Sequence, residues 1–118
     1  MQTFRFLDFI VYQDAKELYK IVVAVTKEFP RIHEDLVKQL IRAVLSVSLN
    51  IAEGSAKKSD KDFNRYVENA LGSVNESVAA LDIAYDSKLI GANLFGDAKN
   101  LAEKIAKQLG GLSKKLKS

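Results

Sequence analysis

The sequence contains no cysteine, which removes disulfides, thiolate nucleophiles and cysteine-held metals together. It has one histidine, His33, beside Glu34 and Asp35. A single imidazole does not supply the converging ligands of a metal centre, and the Glu-x-x-His pairs of di-iron bundles are missing. Ser46, Ser48 and Ser73 have no histidine placed to activate them. The six glycines form no phosphate-cradling loop. No apolar run approaches the ~18 residues a membrane span requires. The N-terminal MQTFRFLDF lacks the basic start, long apolar run and small-residue cleavage site of a secretory signal. These absences lead to the expectation of a cytoplasmic, non-enzymatic protein without metal or cofactor.

What is present is helical periodicity. Residues 36–54, LVKQLIRAVLSVSLNIAEG, form the stretch around which the chain is organised. Leu36, Val37, Leu40, Ile41, Val44, Leu45, Val47, Leu49 and Ile51 point in nearly every direction of a helix, whereas a surface helix normally carries one apolar stripe. Its polar side is a narrow seam: Asp35, Gln39, Arg42, Ser46, Asn50, Glu53 and Lys57 stack at three- and four-residue steps. A helix this apolar calls for a second burial partner, and in a chain of 118 residues that partner is expected to be another copy.

The other segments are simpler. Val11, Ala15, Leu18, Val22, Val25 and Phe29 give one apolar face to a helix over residues 9–29, ended by Pro30, the only proline. Phe63, Val67, Ala70, Val74, Val78, Leu81 and Tyr85 do so over 60–88, with Ser59 as N-cap and Asp60 and Asp62 against the helix dipole. Leu94, Ala98, Leu101, Ile105, Leu109, Leu112 and Leu116 do so over 94–116, where Asn93 is a candidate cap. Gly54 reads as the C-cap of the 34–54 helix, and Gly110 with Gly111 as a weak point where the last helix frays or bends. Phe4, Phe6 and Phe9 predict an N-terminal arm packed on the body. Four helical patterns, short connections and no strand pattern predict an all-α, antiparallel up-and-down four-helix bundle in one domain, residues 1–118.

With a formal charge of only +3, the distribution of charge matters more than its sum. Lys57, Lys58, Lys61 and Arg65 cluster at the second connection. Lys104, Lys107, Lys114, Lys115 and Lys117 load the end of the chain, with no acid after Glu103. Cations at a helix C-terminus also complement its dipole, so a solvated end and a phosphate-contacting surface are both open readings. The candidate nucleic-acid contacts are Lys57, Lys58, Lys61, Arg65, Lys107, Lys114, Lys115 and Lys117. The polar seam makes a sharper geometric expectation. In an antiparallel hairpin, Glu53 would face Arg65, Asn50 face Asn69, Ser46 face Ser73 and Arg42 face Glu76, as a device that fixes register or as an interface.

Several motifs resemble one bacterial family. Asn50-Ile51-Ala52-Glu53-Gly54, then Ser59 and Phe63-x-Arg65-Tyr66, resemble the signature of the four-helix bundle family of 23S rRNA intervening-sequence proteins. Val11-Tyr12-Gln13-x-Ala15 and Gln39-x-x-Arg42-Ala43 are similar to two further motifs of that family. The similarity extends over residues 9–89. Ile41 stands where the family has a second arginine, Ser48 where proline is common, Asp62 for glutamate and Tyr12 for tryptophan. The resemblance implies a non-catalytic protomer that assembles into a homopentamer. It also implies an association with large ribosomal RNA insertions or, as in the related accessory protein of diversity-generating retroelements, binding to nucleic acid and a reverse transcriptase. The two functional expectations are therefore an oligomer that binds structured RNA, and a scaffold that docks a partner enzyme. Salt-dependent RNA binding separates them.

Overall fold

The computed structural model describes residues 3–118. Four helices account for most of it: α1 (Ile10–Thr26), α2 (Glu34–Ser55), α3 (Asp60–Asp86) and α4 (Ala92–Lys117). Each packs on the next and α4 closes against α1, which gives a bundle 45 Å long and 23 by 20 Å across. Each contributes one apolar face to a shared core, whose largest fully buried side chains include Leu18, Leu40, Ile51, Ile105 and Leu109. Among the described residues, no helix is long and apolar enough to cross a membrane.

The helix ends show where local chemistry decides. Ser59 caps α3 as expected, its Oγ accepting from the Asp62 N–H at 3.1 Å. α1 stops at Thr26, three residues before the expected end. The Thr26 hydroxyl donates to the Val22 carbonyl at 2.8 Å, and the Glu28 and Phe29 N–H groups tighten into i→i+3 hydrogen bonds to Val25 and Thr26 before Pro30. A short 3-10 turn (Arg31–His33) follows, and Glu34 and Asp35 lie against the positive end of α2. The cap of α4 is Gly91, not Asn93. Gly110 and Gly111 do not interrupt α4, because both are exposed while Leu109 and Ser113 hold that turn on the core.

The close of α3 departs most from its sequence signals. Lys88 has φ of 63°, the left-handed conformation usually left to glycine. The Leu89 N–H donates to the Ala84 carbonyl at 2.9 Å and the Lys88 N–H to that of Tyr85 at 3.0 Å, the paired bonds of a Schellman motif. Lys88 thus bears a conformational cost that glycine would not. Lys88→Gly is expected to stabilise the protein by roughly 1 kcal/mol in a urea titration; no change would mean that other contacts hold this turn.

The N-terminal arm is clasped by a charge as well as by Phe6 and Phe9, whereas Phe4, expected to pack with them, is 62% exposed. Within a 3-10 turn (Arg5–Asp8), Arg5 donates from Nε and Nη2 to the Ser55 carbonyl at 3.2 and 2.9 Å. Its guanidinium lies 5.5 Å from the ring centre of Phe63 and 5.9 Å from that of Phe9. A cation on the last carbonyls of α2 answers the negative end of that helix. Phe6 packs edge-on against Tyr12, with ring centres 5.0 Å apart. At mid-bundle, the half-buried Asp14 ties α1 to α4, accepting from Gln108 Nε2 at 2.8 Å and pairing with Lys104 at 3.3 Å.

Candidate nucleic-acid interface

The turn between α2 and α3 lies at the same end of the bundle as the close of α4. The two basic clusters, remote in sequence, therefore meet. Lys117 pairs with Glu68 of α3 at 3.4 Å, and both line a groove of about 400 Å³ with Lys61, Asp62, Asn64 and Arg65. Lys58 and Lys61 are exposed and take part in no ion pair among the described residues. Lys114 and Lys115 lie on the last turn of α4, exposed to solvent. Lys107 does not join this surface. It sits ten residues before Lys117, about 15 Å along the helix, paired with Glu103 at 3.5 Å.

The half-buried Tyr66 organises the near side of the patch. Lys57 Nζ lies 5.1 Å from its ring centre and the Arg65 guanidinium 5.3 Å. Cations held over an aromatic face keep their charge while their stems are ordered. The Arg65 guanidinium also comes to 4.0 Å from the Asp62 carboxylate, an exposed contact worth little. Asn64 is buried along the groove, and its Oδ1 has no hydrogen-bond partner. Tyr66 and Asn64 were not among the expected contacts, although Tyr66 belongs to the Phe63-x-Arg65-Tyr66 motif.

The polar seam forms at its centre and fails at its ends. Ser73 Oγ donates to Ser46 Oγ at 2.9 Å, as an antiparallel α2–α3 hairpin in the expected register requires. Asn50 does not hydrogen-bond across to Asn69; its Nδ2 turns back to the Ser46 carbonyl and hydroxyl at 2.9 and 3.0 Å. Neither Glu53 with Arg65 nor Arg42 with Glu76 forms an ion pair. All four are exposed, where water competes for each charge and ordering two long side chains is unfavourable. Gly54 supplies the close contact below the seam. It lies inside α2 without a left-handed φ, and a Cβ there would meet Tyr66 Cβ at 2.8 Å and Phe63 Cδ1 at 2.9 Å. It is therefore a packing glycine and not the expected C-cap.

These positions give the Asn50–Gly54 motif a physical reading. Ile51 is fully buried, Gly54 lets α3 approach, and Asn50 bonds within the seam. The sequence model of the 23S rRNA-intervening sequence proteins matches residues 7–111. The chain belongs to that family. A protein of unknown function from the S23 ribosomal protein family of Bacteroides thetaiotaomicron has a similar structure, with a TM-score of 0.74 and 27% identity over 89% of this chain and 99% of that one. No curated protein matches this chain. In this member of the intervening-sequence family, the motif thus encodes one helix contact, and its Glu53 is exposed. Among the described residues, no three His, Asp or Glu side chains are grouped to hold a metal ion.

Proposed function

We propose that this intervening-sequence family member is a non-enzymatic, oligomeric and cytoplasmic protein that binds structured RNA through the basic end of its bundle. The observation that carries the reading is the convergence of Lys61, Arg65 and Lys117 on one groove, flanked by Lys57 and Lys58 and by the Lys114–Lys115 turn. Cations on three separate segments match the spread of phosphates along a backbone. Tyr66 adds an aromatic body beside them, against which an unpaired base can pack. RNA is favoured over DNA by the family's association with ribosomal RNA, and five copies by the resemblance in motifs. Oligomerisation would repeat the patch and strengthen its field.

The test is binding of the whole protein to a fluorescent RNA hairpin and to a DNA duplex of equal length across a salt series. Three to six phosphate contacts predict that log K falls against log salt with a slope of about −3 to −5 for duplex. No binding at about 50 mM salt would overturn the proposal, since that is where counterion release favours association most. A second reading, a ring that docks a protein partner with little RNA affinity, draws on exposed apolar side chains outside α2, such as Ile32 and Ile83.

A further inference from the structure

The apolar excess of α2 has a specific place on the surface. Lys38, Arg42, Leu45, Leu49 and Ala52 share the helix face turned away from the core, with Ile41 at its edge packed against the core. Leu45 is 39% exposed and Leu49 is 56% exposed, whereas Val44, Val47 and Ile51 on the other side are fully buried. This is a convex ridge of two leucines one turn apart, with cations at its N-terminal end.

A concave counterpart lies on another side of the bundle. Between α3 and α4 runs an open groove of about 540 Å³ with Val74, Val78, Ala102 and Ala106 in its lining. Its residues include Ala79 on the α3 side and Phe95 towards the start of α4, where Phe95 stacks on Tyr85 at 4.9 Å. Asp82, Lys99 and Glu103 give it a charged rim. Lys38, Arg42, Asp82 and Lys99 all lack an ion-pair partner among the described residues. The alanines leave room that large side chains from outside can fill.

We infer that the α2 ridge of one copy of this chain seats in the α3–α4 groove of the next. Leu45 and Leu49 enter the apolar lining, and Lys38 and Arg42 approach Asp82. That polarity lays the incoming α2 antiparallel to the α3 of the groove. Ridge and groove are different surfaces, so each copy uses both, and the contact is heterologous. Repetition closes a ring or extends a filament, whereas pairing of two ridges would stop at a dimer and leave the groove empty. The inference rests on the oligomeric part of the proposed function and is independent of RNA binding.

The test uses two full-length variants with opposite defects. Leu49→Arg spoils the ridge and keeps the groove; Ala79→Arg spoils the groove and keeps the ridge. Both positions are exposed in the protomer, so helicity by circular dichroism should be unchanged. By light scattering at tens of micromolar, the wild type should be an oligomer and each variant alone a monomer. The second measurement uses a short thiol crosslinker, which the absence of native cysteine makes clean. Leu45→Cys chains should crosslink to Ala79→Cys chains in a mixture, and neither variant to itself. Crosslinking of Leu45→Cys chains to one another would overturn the inference in favour of ridge-to-ridge pairing. An oligomeric wild type with no crosslink in the mixture would overturn the assigned faces alone. A wild type that is monomeric at that concentration would overturn the oligomeric reading and this inference with it.

Discussion

Reversing Lys58, Lys61 and Lys117 together to glutamate should weaken RNA binding by about 100- to 1,000-fold near 50 mM salt, with almost no change in melting temperature. The size follows from counterion release. Each phosphate contact contributes roughly 0.7 to 0.9 to the slope of log K against log salt, which is about one decade of affinity at that salt relative to 1 M. Three lost contacts predict a slope shallower by about 2 to 3. The small effect on stability follows from exposure: all three side chains are exposed, and the Lys117–Glu68 pair is a surface pair worth less than about 1 kcal/mol. The control is reversal of Lys16 and Lys20, which lie on α1 outside the groove and carry about two thirds of the triple variant's change in net charge, so net charge alone predicts about two thirds of its loss in log K. Losses in that proportion would mean that only net charge matters and that the patch has no special place. An unchanged slope in the triple variant would mean that these lysines touch no phosphate. Lys57 is left intact because its ammonium lies over Tyr66, and its loss would confuse a packing effect with a charge effect.

The helices were legible because an amphipathic stripe is a local, repeated signal. Val11 to Val22 on α1 and Phe63 to Leu81 on α3 are buried largely as their spacing predicts. The Ser46–Ser73 contact was legible for a related reason, since a short turn fixes which residues of a hairpin meet. Other features depend on competition with water or on groups distant in the chain. The ends of the seam have the right charges at the right steps, yet burial decides whether such charges pair, and Arg42, Glu53, Arg65 and Glu76 are all exposed. Asp14 finds Gln108 and Lys104 some ninety residues away, and nothing in its own neighbourhood marks it. Lys88 adopts a left-handed conformation that its residue type disfavours, so nothing in its residue type marks it as the turn that ends α3. The union of two basic clusters follows from the up-and-down topology, because the start of α3 and the end of α4 share one end of the bundle. The position of Lys107 follows from the same geometry, about three turns back along α4.

The same substitution should have opposite signs at two glycines. At Gly111, on the exposed side of α4, an added Cβ meets nothing within 4 Å. Alanine there removes the conformational freedom of glycine from the unfolded chain and should stabilise by roughly 0.5 to 1 kcal/mol. At Gly54 the same gain in helix propensity is opposed by contact with α3. The new Cβ would lie 2.8 Å from Tyr66 Cβ, an atom bonded to the backbone that no rotamer change can withdraw, and 2.9 Å from the Phe63 ring. The Phe63 ring is itself held beneath the Arg5 guanidinium at 5.5 Å, so it has little freedom to yield. The helices must separate, and overpacking of this kind costs about 1 to 3 kcal/mol. Gly54→Ala should therefore lower the melting temperature by several degrees, at roughly 4 °C per kcal/mol for a domain of this size. Thermal and urea melts at one fixed protein concentration read both variants, because assembly makes apparent stability depend on concentration. If Gly54→Ala stabilises the protein as Gly111→Ala does, close approach of α2 and α3 is not why glycine stands there. If it destabilises as expected, RNA affinity should fall as well. Lys57 and Lys58 are carried by the turn just after Gly54, and Lys61 and Arg65 by α3, so moving one helix from the other parts the two sides of the basic patch.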